Sequence, residues 1–216
     1  MELAAGLVGL LVGLVVGPVA DRLATNSPLH DPLLRRVPRS RALPLVTAGT
    51  ALLGAACGLA FGLTLEALIG AVFCWILVII TRTDFEHRII PDKIVLPGAV
   101  LMLVGRAIDD PSVEWILAAL LAGLALFVVV FVYPKGIGMG DVKLAVFLGA
   151  GLGGAVVVAF FLGFFASFFP ALVIFLRGGK SARRQAIPLG PFLALGAIVA
   201  LFAGDAIIDW YVELGS

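Results

Sequence analysis

Between Leu144 and Leu176 the chain runs without one charged residue, and Trp115–Tyr133 is equally free of charge. About 20 consecutive apolar residues are what a helix needs to cross the hydrocarbon core of a bilayer. Runs of that length leave little choice, because in lipid every backbone N–H and C=O must find an internal partner. Composition agrees. Of 216 residues, 62% are hydrophobic and 13% charged, with a mean hydropathy of +1.16, against about 45–50% apolar and roughly 25% charged in soluble domains. The expected fold class is all-α, a polytopic transmembrane helical bundle with no large soluble domain.

Helices are expected at about Leu3–Val19, Leu43–Phe61, Leu65–Thr81, Lys93–Ile108 and Trp115–Tyr133. Three more follow at about Asp141–Leu152, Gly153–Leu176 and Pro188–Asp209. Eight is the preferred count within a range of six to eight, since Gly149-Ala150-Gly151-Leu152-Gly153-Gly154 blurs the sixth boundary. The N-terminus shows neither a basic n-region nor a small-residue cleavage site, so its first segment reads as a retained helix. Two cysteines, Cys57 and Cys74, lie inside apolar segments with no C-x-x-C spacing. They read as small core residues rather than a zinc site or a disulfide framework.

Charge sorts the connections. Of the 15 basic residues, 14 fall after the first, third, fifth and seventh helices, and only Arg106 falls toward the other side. Positively charged loops stay in the cytoplasm, so both termini are expected outside. The opposite side collects acids, among them Glu66, Asp109, Asp110, Glu114 and Asp205. The one long polar loop, 21–42, holds the run Arg35-Arg36-Val37-Pro38-Arg39-Ser40-Arg41. Such a cluster fixes topology and touches anionic membrane lipid. The net charge of +1 gives no support for a nucleic-acid partner.

Ionisable residues at membrane depth are costly and mark functional sites. Asp84 closes the third apolar stretch and Asp141 opens the sixth, so both are expected at the cytoplasmic face. Two close carboxylates do not both ionise readily; they share a proton, one acting as base and the other as acid. The base draws a proton from water, the water attacks a peptide carbonyl, and the acid protonates the oxyanion and then the leaving amine. That chemistry calls for no metal and no cofactor. Gly136, Gly138 and Gly140 precede Asp141 and permit positive φ and close backbone approach. The plainer reading of this segment is an ordinary turn with Asp141 as an N-cap.

Three segments carry a family resemblance. Asp84-Phe85-Glu86-His87-Arg88-Ile89-Ile90-Pro91-Asp92 is followed by Gly136-Ile137-Gly138-Met139-Gly140-Asp141-Val142-Lys143. Last comes Ile187-Pro188-Leu189-Gly190-Pro191. Together they resemble the type IV prepilin peptidases, intramembrane aspartyl proteases of the Gly-x-Gly-Asp kind. The resemblance implies a single integral membrane peptidase domain over 1–216, with Asp84 and Asp141 as the catalytic pair. It makes Gly138, Gly140, Pro91, Asp92, Lys143, Pro188, Gly190 and Pro191 shapers of the site. Asp92 is expected as a structural carboxylate capping the fourth helix, and Lys135 and Lys143 as helpers or topology anchors.

The implied partners are prepilins or pseudopilins, whose short basic leaders are removed at the cytoplasmic face of the cell membrane. Many family members carry paired C-x-x-C motifs in an early zinc loop associated with methylation of the new N-terminus. The matching loop here, 21–42, is short and has no cysteine, so the resemblance lends methyltransferase activity no support.

Two other functions use the same residues. A proton-coupled transporter would employ the aspartates as relay groups, but it predicts internal repeats and midplane sites. A presenilin-like protease shares the chemistry; the Ile-Pro-Asp and Pro-Leu-Gly-Pro segments favour the prepilin branch. His87, three residues after Asp84, is a candidate for orienting it. Gly9, Gly13 and Gly17 are spaced for close helix packing. Trp115, Tyr133, Trp210 and Tyr211 read as interfacial anchors, and the phenylalanine run 160–169 as lipid-facing and packing surface.

Overall fold

The computed structural model describes residues 1–26, 43–132, 138–182 and 188–215. All regular structure among them is helical. In order come α1 (Glu2–Asn26), α2 (Leu43–Phe61), α3 (Leu65–His87), α4 (Asp92–Asp109), α5 (Glu114–Val132) and α6 (Met139–Leu152). A 3-10 turn at Gly153–Ala155 leads into α7 (Val156–Ala182), and α8 (Gly190–Gly215) ends the chain. Lys135, Gly136, Tyr133, His30 and the basic run of the 21–42 loop lie outside the described residues.

Six segments are long and apolar enough to cross a membrane: α1, α2, α3, α5, the joined run Met139–Ile174 and α8. The expected eight helices are present, and six apolar segments among them meet the length and hydropathy of a crossing. With Asp92, Lys93, Arg106 and Asp109, α4 is more polar than its neighbours. The helices α6 and α7 form one apolar run, broken at Gly153, whose φ of +58° only glycine adopts easily.

Helix ends depart from the expectation where polar residues are satisfied locally. The third helix passes Thr81 and continues to His87, since no glycine or proline intervenes before Pro91. Thr83 Oγ1 donates back to the Ile79 carbonyl at 2.8 Å, and Arg82 pairs with Glu86 one turn on. The helix closes on Arg88 in the left-handed region (φ 54°), whose N–H donates to the Asp84 carbonyl. Asp84 therefore lies in the last turn of α3 rather than beyond it. Likewise α1 runs past Val19 to Asn26, because Asp21 is buried 3.5 Å from Arg82.

Small residues bring the helices together. A Cβ at Gly9 or Gly13 would strike the Gly54 or Thr50 carbonyl of α2, so α1 and α2 pack backbone to backbone. Inside the bundle, Phe73 of α3 stacks on Phe147 of α6 with ring centroids 5.0 Å apart. Cys57 and Cys74 are buried free thiols in a cluster with Ala71 and Trp75. Phe161, Phe165, Phe168 and Phe169 face outward.

One end of the bundle gathers the C-terminal turns of α1 and α3 with the N-terminal turns of α4, α6 and α8. The other end gathers the start of α3 and the ends of α4 and α6. There the buried Arg106 donates from Nε and Nη2 to the Gly151 carbonyl at 3.1 and 2.9 Å, with Trp115 stacked over its guanidinium.

Candidate active site

Asp84 is one of few charged side chains buried in the fold, at 5% exposure. Its Oδ2 accepts the backbone N–H of Gly190 at 3.0 Å. That N–H is free because Gly190 opens α8, and the first N–H groups of a helix have no intrahelical acceptor. The helix terminus also favours a negative charge there. Contact is so close that a Cβ on Gly190 would lie 2.8 Å from Asp84 Oδ2. Pro191, buried beside it, sits in the first turn, where a missing N–H sacrifices no bond. Pro188 is half-buried just before the helix.

Asp141 occupies the first turn of α6. Its Oδ2 accepts the N–H of Gly138 at 3.0 Å, and Gly138 is the N-cap. The sequence suggested Asp141 itself as the cap; it is instead the third helical residue, reaching back to the N-cap N–H in one half of a capping box, the other half being impossible for a glycine cap. Gly138 has φ of −89° and room for an added Cβ, so positive φ is not its use. Gly140 also keeps negative φ; it abuts Ile90, whose Cβ would lie 3.1 Å from an added one.

These elements bring the two aspartates to one end of the bundle, where Ile90, just after the end of α3, lies against Gly140, the neighbour of Asp141. Each carboxylate is held by a backbone N–H at a helix N-terminus, α8 for Asp84 and α6 for Asp141. Pro91 is buried as the N-cap residue of α4, its carbonyl accepting from Ile94 and Val95. Asp92 does not cap α4. Its carboxylate instead meets Lys143 Nζ at 2.6 Å, so the lysine is paired across helices rather than extended to the membrane surface. His87 is exposed, and its Nε2 lies 3.8 Å from Glu86 Oε2.

Sequence reasoning gave no site role to Asp21 and Arg82, a buried carboxylate and its guanidinium at the same end. The usable signal was a carboxylate at the polar end of an apolar helix, the mark that singled out Asp84. A cavity of about 450 Å³ lined by Arg106, Glu66 and Asp205 opens at the opposite end, far from both aspartates. Among the described residues no three His, Cys, Asp or Glu side chains converge as a metal-binding group.

Residues 71–176 match the model of the type IV leader peptidase family. The chain is 33% identical over 180 residues to the prepilin leader peptidase/N-methyltransferase of Bacillus subtilis (strain 168), covering 79% of this chain and 70% of that protein. The chain belongs to the type IV leader peptidase family. The family segment contains both aspartates and ends before α8, so the Gly190 contact lies outside it. A Legionella pneumophila protein of the same name is 31% identical over 185 residues, 81% of this chain and 63% of that one. A third, from Pseudomonas putida, is 32% identical over 180 residues, and the chain spans 62% of its length. No solved structure matches the chain. The relatives' names join a peptidase to an N-methyltransferase, so the missing cysteine pairs do not by themselves remove the second activity.

Proposed function

We propose that this chain is an intramembrane aspartyl endopeptidase that cuts the short basic leader from prepilin or pseudopilin-like proteins. Its catalytic pair is Asp84 and Asp141, working at the cytoplasmic face of the cell membrane. The observation that supports the reading is that α3 ends and α6 begins at one end of a membrane bundle, with Asp84 and Asp141 each accepting a backbone N–H from a helix start there. Among the described residues, Arg22, Arg82, Arg88, Lys93 and Lys143 lie at that same end, which supports a cytoplasmic face.

One proton shared by the pair is enough for the reaction. The ionised carboxylate takes a proton from a water molecule, and the water oxygen bonds to the scissile carbonyl carbon. The protonated partner gives its proton to the carbonyl oxygen. Return of a proton to the amide nitrogen then breaks the C–N bond and releases leader acid and mature amine. Gly190 and Gly138 hold the two carboxylates through backbone N–H groups, which need no rearrangement as charge moves. Gly138, Gly140, Pro91, Pro188 and Pro191 shape the walls of this site.

The relatives' names favour a second activity on the same product, methylation of the new N-terminus. One panel addresses both. Membranes holding the protein are given a prepilin and an ordinary signal-peptide precursor, and products are weighed by mass spectrometry. Cleavage of the prepilin alone, after the leader, is the expected result. A product heavier by one methyl group when a methyl donor is supplied identifies the second activity. Cleavage of the signal-peptide precursor instead would assign the site to the presenilin-like branch.

A further inference from the structure

The first turn of α6 is fastened to the α3–α4 connection at two points. Gly140 lies against Ile90, and Lys143 Nζ meets Asp92 Oδ2 at 2.6 Å. Asp92 is the first residue of α4, and only Arg88–Pro91 separate it from the end of the helix carrying Asp84. Lys143 follows Asp141 by two positions, and residues two apart do not share a helix face. The lysine therefore reaches away from the Asp141 carboxylate. The bridge closes a ring that runs from Asp84 through the α3–α4 connection, Asp92 and Lys143 to Asp141.

We propose that Asp92 and Lys143 form a positioning clasp that sets the register of Asp141 against Asp84. The proposal rests on the dyad reading above; neither member of the clasp touches the reacting atoms. Among the described residues it is the one polar tie between the first two turns of α6 and another helix. Arg106 anchors the far end of α6 at Gly151, and the clasp is its polar counterpart at the site end, where the other contacts are the apolar packing of Val142, Leu144 and Ala145 and of Gly140 on Ile90. With side chains 55% and 33% exposed, the pair adds little to folding. Its consequence is geometric, because a small misplacement of a reacting group is expensive in rate.

The test uses the full chain in lipid vesicles with a purified prepilin substrate. Asp92→Asn and Lys143→Met should each lower kcat roughly tenfold with KM unchanged. The double variant should be no worse than either single, as for two members of one interaction, and Lys143→Arg should retain most activity. A second readout does not depend on cleavage. Spin labels at Phe85→Cys and Met139→Cys, both exposed positions, in a Cys57→Ala/Cys74→Ala background should show a broader distance distribution once Lys143→Met is added. An active Asp92→Asn beside an inactive Lys143→Met would give the lysine a role of its own and overturn the clasp. So would an unchanged distance distribution, whatever the cleavage result. A wild type that cuts no prepilin would overturn the dyad reading, while the label distances still decide the clasp.

Discussion

Gly190 shows how much one hydrogen atom in place of a methyl group can decide. Its N–H grips Asp84 Oδ2 at 3.0 Å, and an added Cβ would lie 2.8 Å from that oxygen. The Gly190→Ala variant must therefore push the carboxylate away. Cleavage is expected to fall about 100-fold, the scale of a misplacement near 1 Å. Gly140→Ala should cost less, because its neighbour Ile90 has only to yield from a 3.1 Å contact. Leader cleavage by both variants, measured at equal protein level, checks the order; equal losses would contradict it. At this scale the sequence marked Asp84 and Asp141 as candidates, since a carboxylate at membrane depth is costly, and the structure adds the backbone N–H that each accepts. The sequence could not announce the Asp92–Lys143 pair, which depends on α4 and α6 being neighbours across 51 positions of chain. Nor could it show which glycines serve close contact and which merely cap.

Among the elements, α6 is the one that needs explaining, since 14 residues make it too short to cross a bilayer alone. It is fixed at its far end by Arg106, which is 7% exposed and satisfies the Gly151 carbonyl where the helix breaks. Replacing Arg106 with Met keeps the bulk, removes both donors and leaves a buried carbonyl unpaired. The variant should lose about 1–3 kcal/mol of stability, read as a lower Tm in detergent, while cleavage per folded molecule stays near wild type. An unchanged Tm would contradict the anchoring role. The apolar cores of these helices were legible from hydropathy and run length, and the Gly9, Gly13 and Gly17 spacing rightly marked a close helix contact. Their ends were not legible. The helices α1 and α3 extend through polar residues because Asp21, Arg82, Thr83 and Glu86 partner one another or the backbone.

For the whole molecule, the fold reduces to a bundle that delivers helix ends to one face. The termini of α3, α4, α6 and α8 meet there, and the backbone N–H groups left over at two helix starts hold the two carboxylates. Membership of the type IV leader peptidase family and the membrane bundle are consistent with a protease that meets its substrate at the bilayer boundary. A dyad that shares one proton should give a bell-shaped pH–rate profile whose limbs belong to the pair. The most direct test is single-turnover cleavage of a purified prepilin by the enzyme in lipid vesicles, comparing wild type with Asp84→Asn and Asp141→Asn. The dyad account predicts leader release by wild type and none above background by either variant, with all three proteins folded. Cleavage at the wild-type rate by either variant would contradict it.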